Sequence, residues 1–177
     1  MTRFIQLHAL TAYPPANLNR DDTGRPKTAL LGDALRLRIS SQSLKRAWRT
    51  SDVFEAAIGQ GHLGTRTKLL GIELHQMLTA GGVGEEQARK WARAIAGQFG
   101  KLKADKKTEG NDDLQIEQLA HVSPTERAAA DALARACAER KSEPTADELE
   151  LLTRPRTAVD IAMFGRMLAD APAFNVE

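Results

Sequence analysis

The sequence predicts an α+β fold in which strand-like segments lie near both ends of the chain and a helical region lies between them. Apolar and polar residues alternate over 3–12 and 35–39, which is typical of strands. Apolar residues recur at helical spacing over 66–79 and 84–99. A chain of 177 residues fits one domain, or one domain that carries a large insertion.

The first strand ends at Tyr13-Pro14-Pro15, and residues 14–34 predict a long loop or a loosely paired hairpin. In the second strand, Leu35 to Ile39, we expect three aliphatic side chains to face inward and two arginines to face outward. A loop of this length in a small domain is usually functional, because long irregular segments are otherwise uncommon.

A helix is expected to begin at Ser40 or Ser41, because an N-cap serine accepts hydrogen bonds from the first turn. On a helical wheel, Lys45, Arg46 and Arg49 share one arc, which gives the helix a cationic face. Leu44 and Trp48 lie on the opposite side, so this side is predicted to be buried.

The middle of the chain contains clear helix boundaries. Gly81-Gly82 ends the first of its helices, and extended structure is expected near 119–122. Ser123-Pro124-Thr125-Glu126 is a capping box that starts a helix running to about Arg140. Thr145 begins a second capping box, which starts a helix that is expected to end at Pro155. Residues 158–165 are predicted to form a buried strand.

Composition narrows the possible classes of protein. With 42% hydrophobic and 27% charged residues, the chain is neither a disordered tail nor a collagen-like rod, and no membrane span is expected. The single cysteine, Cys137, lies in an alanine-rich helix and is expected to be packed. One cysteine allows no internal disulfide, which favours a reducing compartment such as the cytoplasm.

The net charge of +2 hides a strong asymmetry along the chain. Residues 20–50 carry eight basic and three acidic side chains, whereas residues 108–153 carry four basic and eleven acidic ones. A chain with one basic end commonly meets a polyanion there, although such charges can also do no more than solvate a surface.

Residues 36–49 are the strongest candidate for a binding site. A helix N-terminus offers amides and about half a positive charge to a phosphate, and Ser40, Gln42 and Ser43 add polar groups. The neighbouring cations would add attraction that does not depend on the base. This pattern indicates binding to a sugar-phosphate backbone. The alternative is that these charged side chains only solvate the surface of the helix.

Other candidate sites are weaker. Asp21 and Asp22 could hold Mg²⁺ for phosphodiester cleavage, or could simply cap a turn or pair with nearby arginines. The four histidines show no metal-ligand spacing, so no metal or cofactor is expected. Met167, after Gly165-Arg166, could be a wedge beside a base or a core methionine.

Three blocks resemble one known family. The blocks are Leu18-Asn19-Arg20-Asp21-Asp22 followed by Lys27, the run from Arg38 to Ala47, and the run from Val159 to Met167. In this order they resemble the CasC-type backbone subunit of the type I-E CRISPR Cascade complex. The most specific block is Ile-Ser-Ser-Gln-Ser-Leu-Lys-Arg-Ala at 39–47, while residues 52–150 match only in helical character.

The resemblance implies a fold and a function. It implies a partial palm of RNA-recognition-motif (ferredoxin-like) type over 1–50, a helical fingers insertion over 51–153, and a return to the palm over 154–177. It implies a non-catalytic subunit that grips CRISPR RNA, self-associates along it, joins other Cascade subunits and leaves the guide to pair with target DNA. The residues it implies for RNA binding are Asn19, Arg20, Lys27, Arg38, Ser40, Gln42, Ser43, Lys45, Arg46, Arg49, Arg166 and Met167.

Members of that family are longer and continue into a thumb, so the resemblance implies a truncated chain, a fragment or a split gene product.

Two other functions stay open at this point. One is a metal-dependent ribonuclease that uses Asp21 and Asp22. The other is a protein-interaction fragment whose acidic helices over 108–153 form the working surface.

Overall fold

The computed structural model describes residues 11–104, 110–152, 158–166 and 175. These residues combine helices with two small antiparallel sheets, which confirms the α+β class. The strand predicted over 3–12 lies outside them, apart from Thr11 and Ala12, which are irregular, and Met167 lies outside them as well. The strands are β1 Thr28–Leu31, β2 Ala34–Leu37, β3 Thr65–Thr67 and β4 Ala120–Val122.

Helices α1, α3, α5 and α6 begin or end close to the predicted signals, whereas α2 was not predicted. They are α1 Ser41–Arg49, α2 Asp52–Ile58, α3 Leu70–Ala80, α4 Glu85–Ala96, α5 Pro124–Arg140, α6 Ala146–Leu152 and α7 Val159–Phe164, with short 3-10 turns at Gln60–His62, Gly97–Phe99 and Asp112–Leu114. The chain divides into a first unit, residues 1–51, and a second unit, residues 52–177. The assignment of palm and fingers to these parts of the chain stays a prediction.

A two-stranded hairpin lies in the first unit. β1 and β2 pair with Leu31 opposite Ala34, so Gly32 and Asp33 form the turn, and Gly32 has a φ of 63°. A positive φ at the first turn position suits a tight hairpin and favours glycine. The prediction that Leu35 and Leu37 face inward is wrong, since Leu35 is 71% exposed and Leu37 is also exposed. Alternation separates the two faces of a strand but does not reveal whether another layer covers either of them.

The start of α1 confirms the sequence prediction, but its burial does not. Ser40 is the N-cap, and its hydroxyl accepts a hydrogen bond from the Ser43 amide at 3.3 Å. No residue of α1 is buried, Leu44 is half-buried, and Trp48 is 49% exposed. The prediction that this helix buries Leu44 and Trp48 is therefore wrong. A helical wheel sorts side chains by direction, and burial requires a second element over the apolar side.

The second unit holds the hydrophobic core, which α3, α4 and α5 build together. Fully buried side chains include Leu70, Leu74, Ile95 and Phe99. Cys137 lies in the same core, as predicted, and burial raises the pKa of its thiol. Both hydrogen bonds of the capping box are present: the Ser123 hydroxyl accepts from the Glu126 amide, and the Glu126 carboxylate accepts from the Ser123 amide. Helix α5 ends at Arg140, as expected. No helix in the described part of the chain is long and apolar enough to cross a bilayer.

Residues 159–164 form helix α7, so the prediction of a buried strand over 158–165 is wrong. The buried Asp160 carboxylate accepts a hydrogen bond from the Gly64 amide at 2.9 Å, and its other oxygen lies 2.9 Å from His121 Nε2. Phe164 packs against Phe54 with ring centroids 5.5 Å apart. A short apolar run is compatible with either a buried strand or a buried helix, and here these tertiary contacts accompany the helix.

An ion pair between Arg140 and Glu148 gives this unit an acid-sensitive element. Arg140 Nη2 lies 2.7 Å from Glu148 Oε2, and the same oxygen accepts from the Thr145 amide at the start of α6. The Arg140 hydrogen bond is the main cause that lowers the pKa of Glu148 to about 2, from a usual value of 4.5.

A carboxyl whose pKa falls on folding stabilises the fold above its unfolded pKa, and this stabilisation is lost as the pH falls. We therefore expect the free energy of unfolding to decrease between pH 4.5 and about 2 partly through this group. Glu148→Gln should flatten that decrease in urea titrations followed by circular dichroism. An unchanged pH profile in the variant would contradict the assignment.

Candidate nucleic-acid interface

The loop before the hairpin is organised by the Asp21 carboxylate. Its Oδ1 accepts hydrogen bonds from the Thr23 amide at 2.9 Å, the Thr23 hydroxyl at 2.8 Å and the Arg25 amide at 2.9 Å. The Thr23 hydroxyl is the largest of the causes that hold the pKa of Asp21 below its usual range. Of the three roles open to Asp21, which are turn cap, partner of a nearby arginine and metal ligand, the geometry shows the turn cap through Oδ1.

Backbone hydrogen bonds tie this loop to the end of the hairpin. The Lys27 amide donates to the Asn19 carbonyl at 2.7 Å, and the Arg38 amide donates to the Lys27 carbonyl at 2.8 Å. Arg20 and Pro26 form an isolated antiparallel bridge beside them. Three basic residues that are far apart in sequence, Arg20, Lys27 and Arg38, are thereby brought onto neighbouring backbone segments.

A side-chain contact joins the loop to the start of α1. Asn19 Oδ1 accepts a hydrogen bond from the Ser40 amide at 2.8 Å. The Ser43 amide is used by the Ser40 hydroxyl. Among the described residues, no acceptor bonds the amides of Ser41 and Gln42, so both are available to an anion at the positive end of the helix.

The cationic side chains around this helix start are largely accessible. Arg20, Arg38, Lys45 and Arg46 are exposed, and Lys27 and Arg49 are half-buried. Within the part of the chain that the structure describes, no ion pair engages Arg20, Arg38 or Arg46. Gln42 and Ser41 are exposed as well, whereas Ser43 is half-buried.

We call this set the basic surface. It comprises the predicted residues Asn19, Arg20, Lys27, Arg38, Ser40, Gln42, Ser43, Lys45, Arg46 and Arg49, all of which lie in the first unit. Arg25 and Ser41 are also exposed there; sequence reasoning placed Ser41 in the first turn of the helix but did not name Arg25 as a binding residue. The signal for Arg25 was the Asp21-x-Thr23 spacing, which is typical of a side-chain-capped turn.

Arg166 does not belong to the basic surface. It lies in the second unit with 5% exposure, and its guanidinium donates to the Glu126 carboxylate at 2.7 and 2.8 Å and to the His121 carbonyl at 2.8 Å. The expectation that Arg166 contacts RNA is therefore wrong for this structure. The buried Glu126 of the capping box needs a cation nearby, because an isolated buried carboxylate is costly.

The described residues contain no group of three or more His, Cys, Asp or Glu side chains placed to hold a metal ion. Asp21 is engaged by the turn, and Asp22 is exposed next to it. The first unit carries exposed cationic side chains and available backbone amides.

Comparison with known families identifies the chain. The family model described as CT1975-like protein matches residues 5–177. The chain belongs to the CT1975-like family. No curated protein matches this CT1975-like chain in a direct search.

Solved structures agree with the family assignment. A chain of a structure titled "CRISPR RNA-guided surveillance complex" is similar with a TM-score of 0.66 and 29% identity, over 93% of this chain and 52% of that one. A second, titled "CRISPR RNA-guided surveillance complex, pre-nicking", has a TM-score of 0.63 and 30% identity, over 91% and 46% respectively. This CT1975-like chain therefore spans about half the length of the solved chains it matches.

Proposed function

We propose that this CT1975-like chain is a non-catalytic, CRISPR RNA-binding backbone subunit of a Cascade-type surveillance complex, of type I-E. The observation that carries the proposal is the basic surface, where two available amides and exposed arginines lie on one hydrogen-bonded scaffold. The similarity to chains of RNA-guided surveillance complexes supports the same role.

The chemistry of the basic surface suits a phosphate backbone better than base edges. Arginine and lysine tips and helix amides recognise phosphate oxygens, which are the same in every nucleotide. The first unit offers few aromatic side chains on which bases could stack. In the proposal, sequence recognition is left to pairing between the guide and target DNA.

We also propose for this chain the fold and the assembly that the resemblance implies. Residues 1–50 form part of a palm of RNA-recognition-motif type, and 51–153 form the fingers. Copies of the subunit associate along the RNA in the cytoplasm beside other Cascade subunits. The three hydrogen bonds that engage Asp21 Oδ1 in its turn support a structural role for this residue, in line with a subunit without catalysis.

A footprint of RNA on the protein tests the proposal. A single-stranded RNA of mixed sequence, added to the ¹⁵N-labelled chain, is expected to shift the amide resonances of Ser41 and Gln42 and of residues 19–27. Amides of α5 and α6 should stay unchanged, because acidic side chains dominate residues 108–153. Shifts confined to α5 and α6, or none at all, would contradict an RNA-binding role for the first unit.

The same sample separates the ribonuclease alternative from the proposal. If Asp21 and Asp22 held a catalytic Mg²⁺, adding Mg²⁺ would cleave the RNA, and Asp21→Ala or Asp22→Ala would abolish the cleavage. We expect intact RNA with and without Mg²⁺.

A further inference from the structure

We propose that Asn19 is a positioning residue, which holds the start of α1 in place for RNA and does not itself bind the RNA. This inference rests on the proposed function and deepens it. The resemblance implies a direct RNA contact for Asn19, whereas the structure gives its side-chain oxygen to the Ser40 amide at 2.8 Å, across 21 positions of sequence.

Asn19 connects three segments of the first unit. Its backbone carbonyl accepts from the Lys27 amide at 2.7 Å, and its side chain accepts from the Ser40 amide. The side chain is half-buried, unlike those of Arg20 and Gln42, which are exposed. Asn19 is thus placed between the loop that carries Arg20 and Lys27 and the helix that carries the other cations.

The contact acts on the helix through its cap. Ser40 has extended backbone angles, with φ −67° and ψ 149°, and its hydroxyl caps the Ser43 amide. By fixing the Ser40 backbone, Asn19 also fixes the hydroxyl that closes the first turn. Ser41 and Gln42, whose amides are available, come next in the sequence after Ser40. The direction of these amides therefore depends on the hydrogen bond from Ser40 to Asn19 and on the one from Ser43 to Ser40.

Two substitutions distinguish positioning from direct contact. Asn19→Ala removes the acceptor, and Asn19→Asp keeps an oxygen of the same shape for the Ser40 amide but adds a negative charge. If Asn19 positions the helix, Asn19→Ala should lower the affinity for single-stranded RNA about tenfold, the equivalent of one hydrogen bond. The affinity of Asn19→Asp should stay within about threefold of that of the unsubstituted chain at 0.3 M salt, where the added charge is well screened.

If Asn19 instead donated to a phosphate, Asn19→Asp would bind RNA more weakly than Asn19→Ala, because a carboxylate repels the phosphate and has no proton to donate. Hydrogen exchange gives an independent readout in the RNA-free protein. The Ser40 amide should exchange faster in Asn19→Ala and at the original rate in Asn19→Asp. A purely global stability effect would change exchange throughout the first unit instead.

Asn17→Ala is the matched control, because Asn17 lies in the same loop and donates to the Gly24 carbonyl, at 3.3 Å. It should leave RNA affinity unchanged. Arg46→Glu in the same assay tests the proposed function separately. If Arg46→Glu weakens binding while Asn19→Ala does not, or while Asn19→Asp binds RNA more weakly than Asn19→Ala, the positioning role is overturned. If Arg46→Glu has no effect, the proposed function fails instead.

Discussion

Replacing Arg166 by methionine is expected to lower the free energy of unfolding of the second unit by about 3–5 kcal/mol, because it leaves a buried carboxylate without its cation. Both side chains are 1% exposed, and the guanidinium binds both oxygens of Glu126. The Arg166 hydrogen bond to the His121 carbonyl is lost as well. Urea denaturation followed by circular dichroism measures the loss.

Two controls separate this charge effect from simple loss of packing. Glu126→Gln in the Arg166→Met background neutralises the orphaned charge and keeps an oxygen for the Ser123 amide, so it should recover part of the loss. Lys90→Met removes the ion pair between Lys90 and Glu143, in which the two side chains are 72% and 61% exposed. The free energy of unfolding should fall by less than about 1 kcal/mol. A loss for Arg166→Met no larger than that for Lys90→Met would contradict the assignment of a buried ion pair.

Reversing two charges of the basic surface is expected to weaken binding of single-stranded RNA about a hundredfold or more near 0.1 M salt, since two phosphate contacts become repulsions. Arg20→Glu with Arg46→Glu is the informative pair, because both side chains are exposed. The loss should be similar for RNAs of different sequence, as measured by fluorescence anisotropy.

A matched variant keeps the same change in net charge. Lys90→Glu with Arg135→Glu reverses two basic residues on α4 and α5 of the second unit, where Lys90 pairs with an acid and Arg135 is exposed. This variant should bind RNA nearly as well as the unsubstituted chain. Equal losses in both variants would mean that net charge, and not the basic surface, governs binding.

Local sequence signals predicted the ends of elements well. Ser40 and Ser123 cap the helices they were expected to cap, and Gly81 follows α3. These signals succeed because a cap is decided by residues within one turn of the chain. The concentration of basic residues in the first unit was also predictable, since they come from one continuous stretch with strongly biased charge, while their role in RNA binding stays a prediction.

Features that depend on distant partners were not predictable in the same way. Arg166 looked like an RNA contact, but it pairs with Glu126, which lies 40 positions away. The helix at 159–164 looked like a strand, and it is tied to the fold by Asp160, which receives a hydrogen bond from Gly64 across 96 positions. A single sequence contains both partners of each pair without indicating that they meet.

The role of Asn19 illustrates the same limit within the candidate site. Its sequence position among basic residues suggested contact with RNA, whereas its oxygen is bound to an amide 21 positions away. Asp21 is similar, since its neighbourhood allowed a metal ligand or a turn, and three hydrogen bonds from Thr23 and Arg25 show the turn.

The salt dependence of RNA binding tests the proposed backbone grip most directly. If about five cations neutralise phosphates, the logarithm of affinity should fall with the logarithm of salt concentration at a slope near −3.5, since each contact on a single strand contributes about 0.7. In Arg20→Glu with Arg46→Glu, where about three contacts remain, the slope should fall to near −2 for every RNA sequence. A slope near zero in the unsubstituted chain, or the same slope in both proteins, would contradict a phosphate grip by the basic surface.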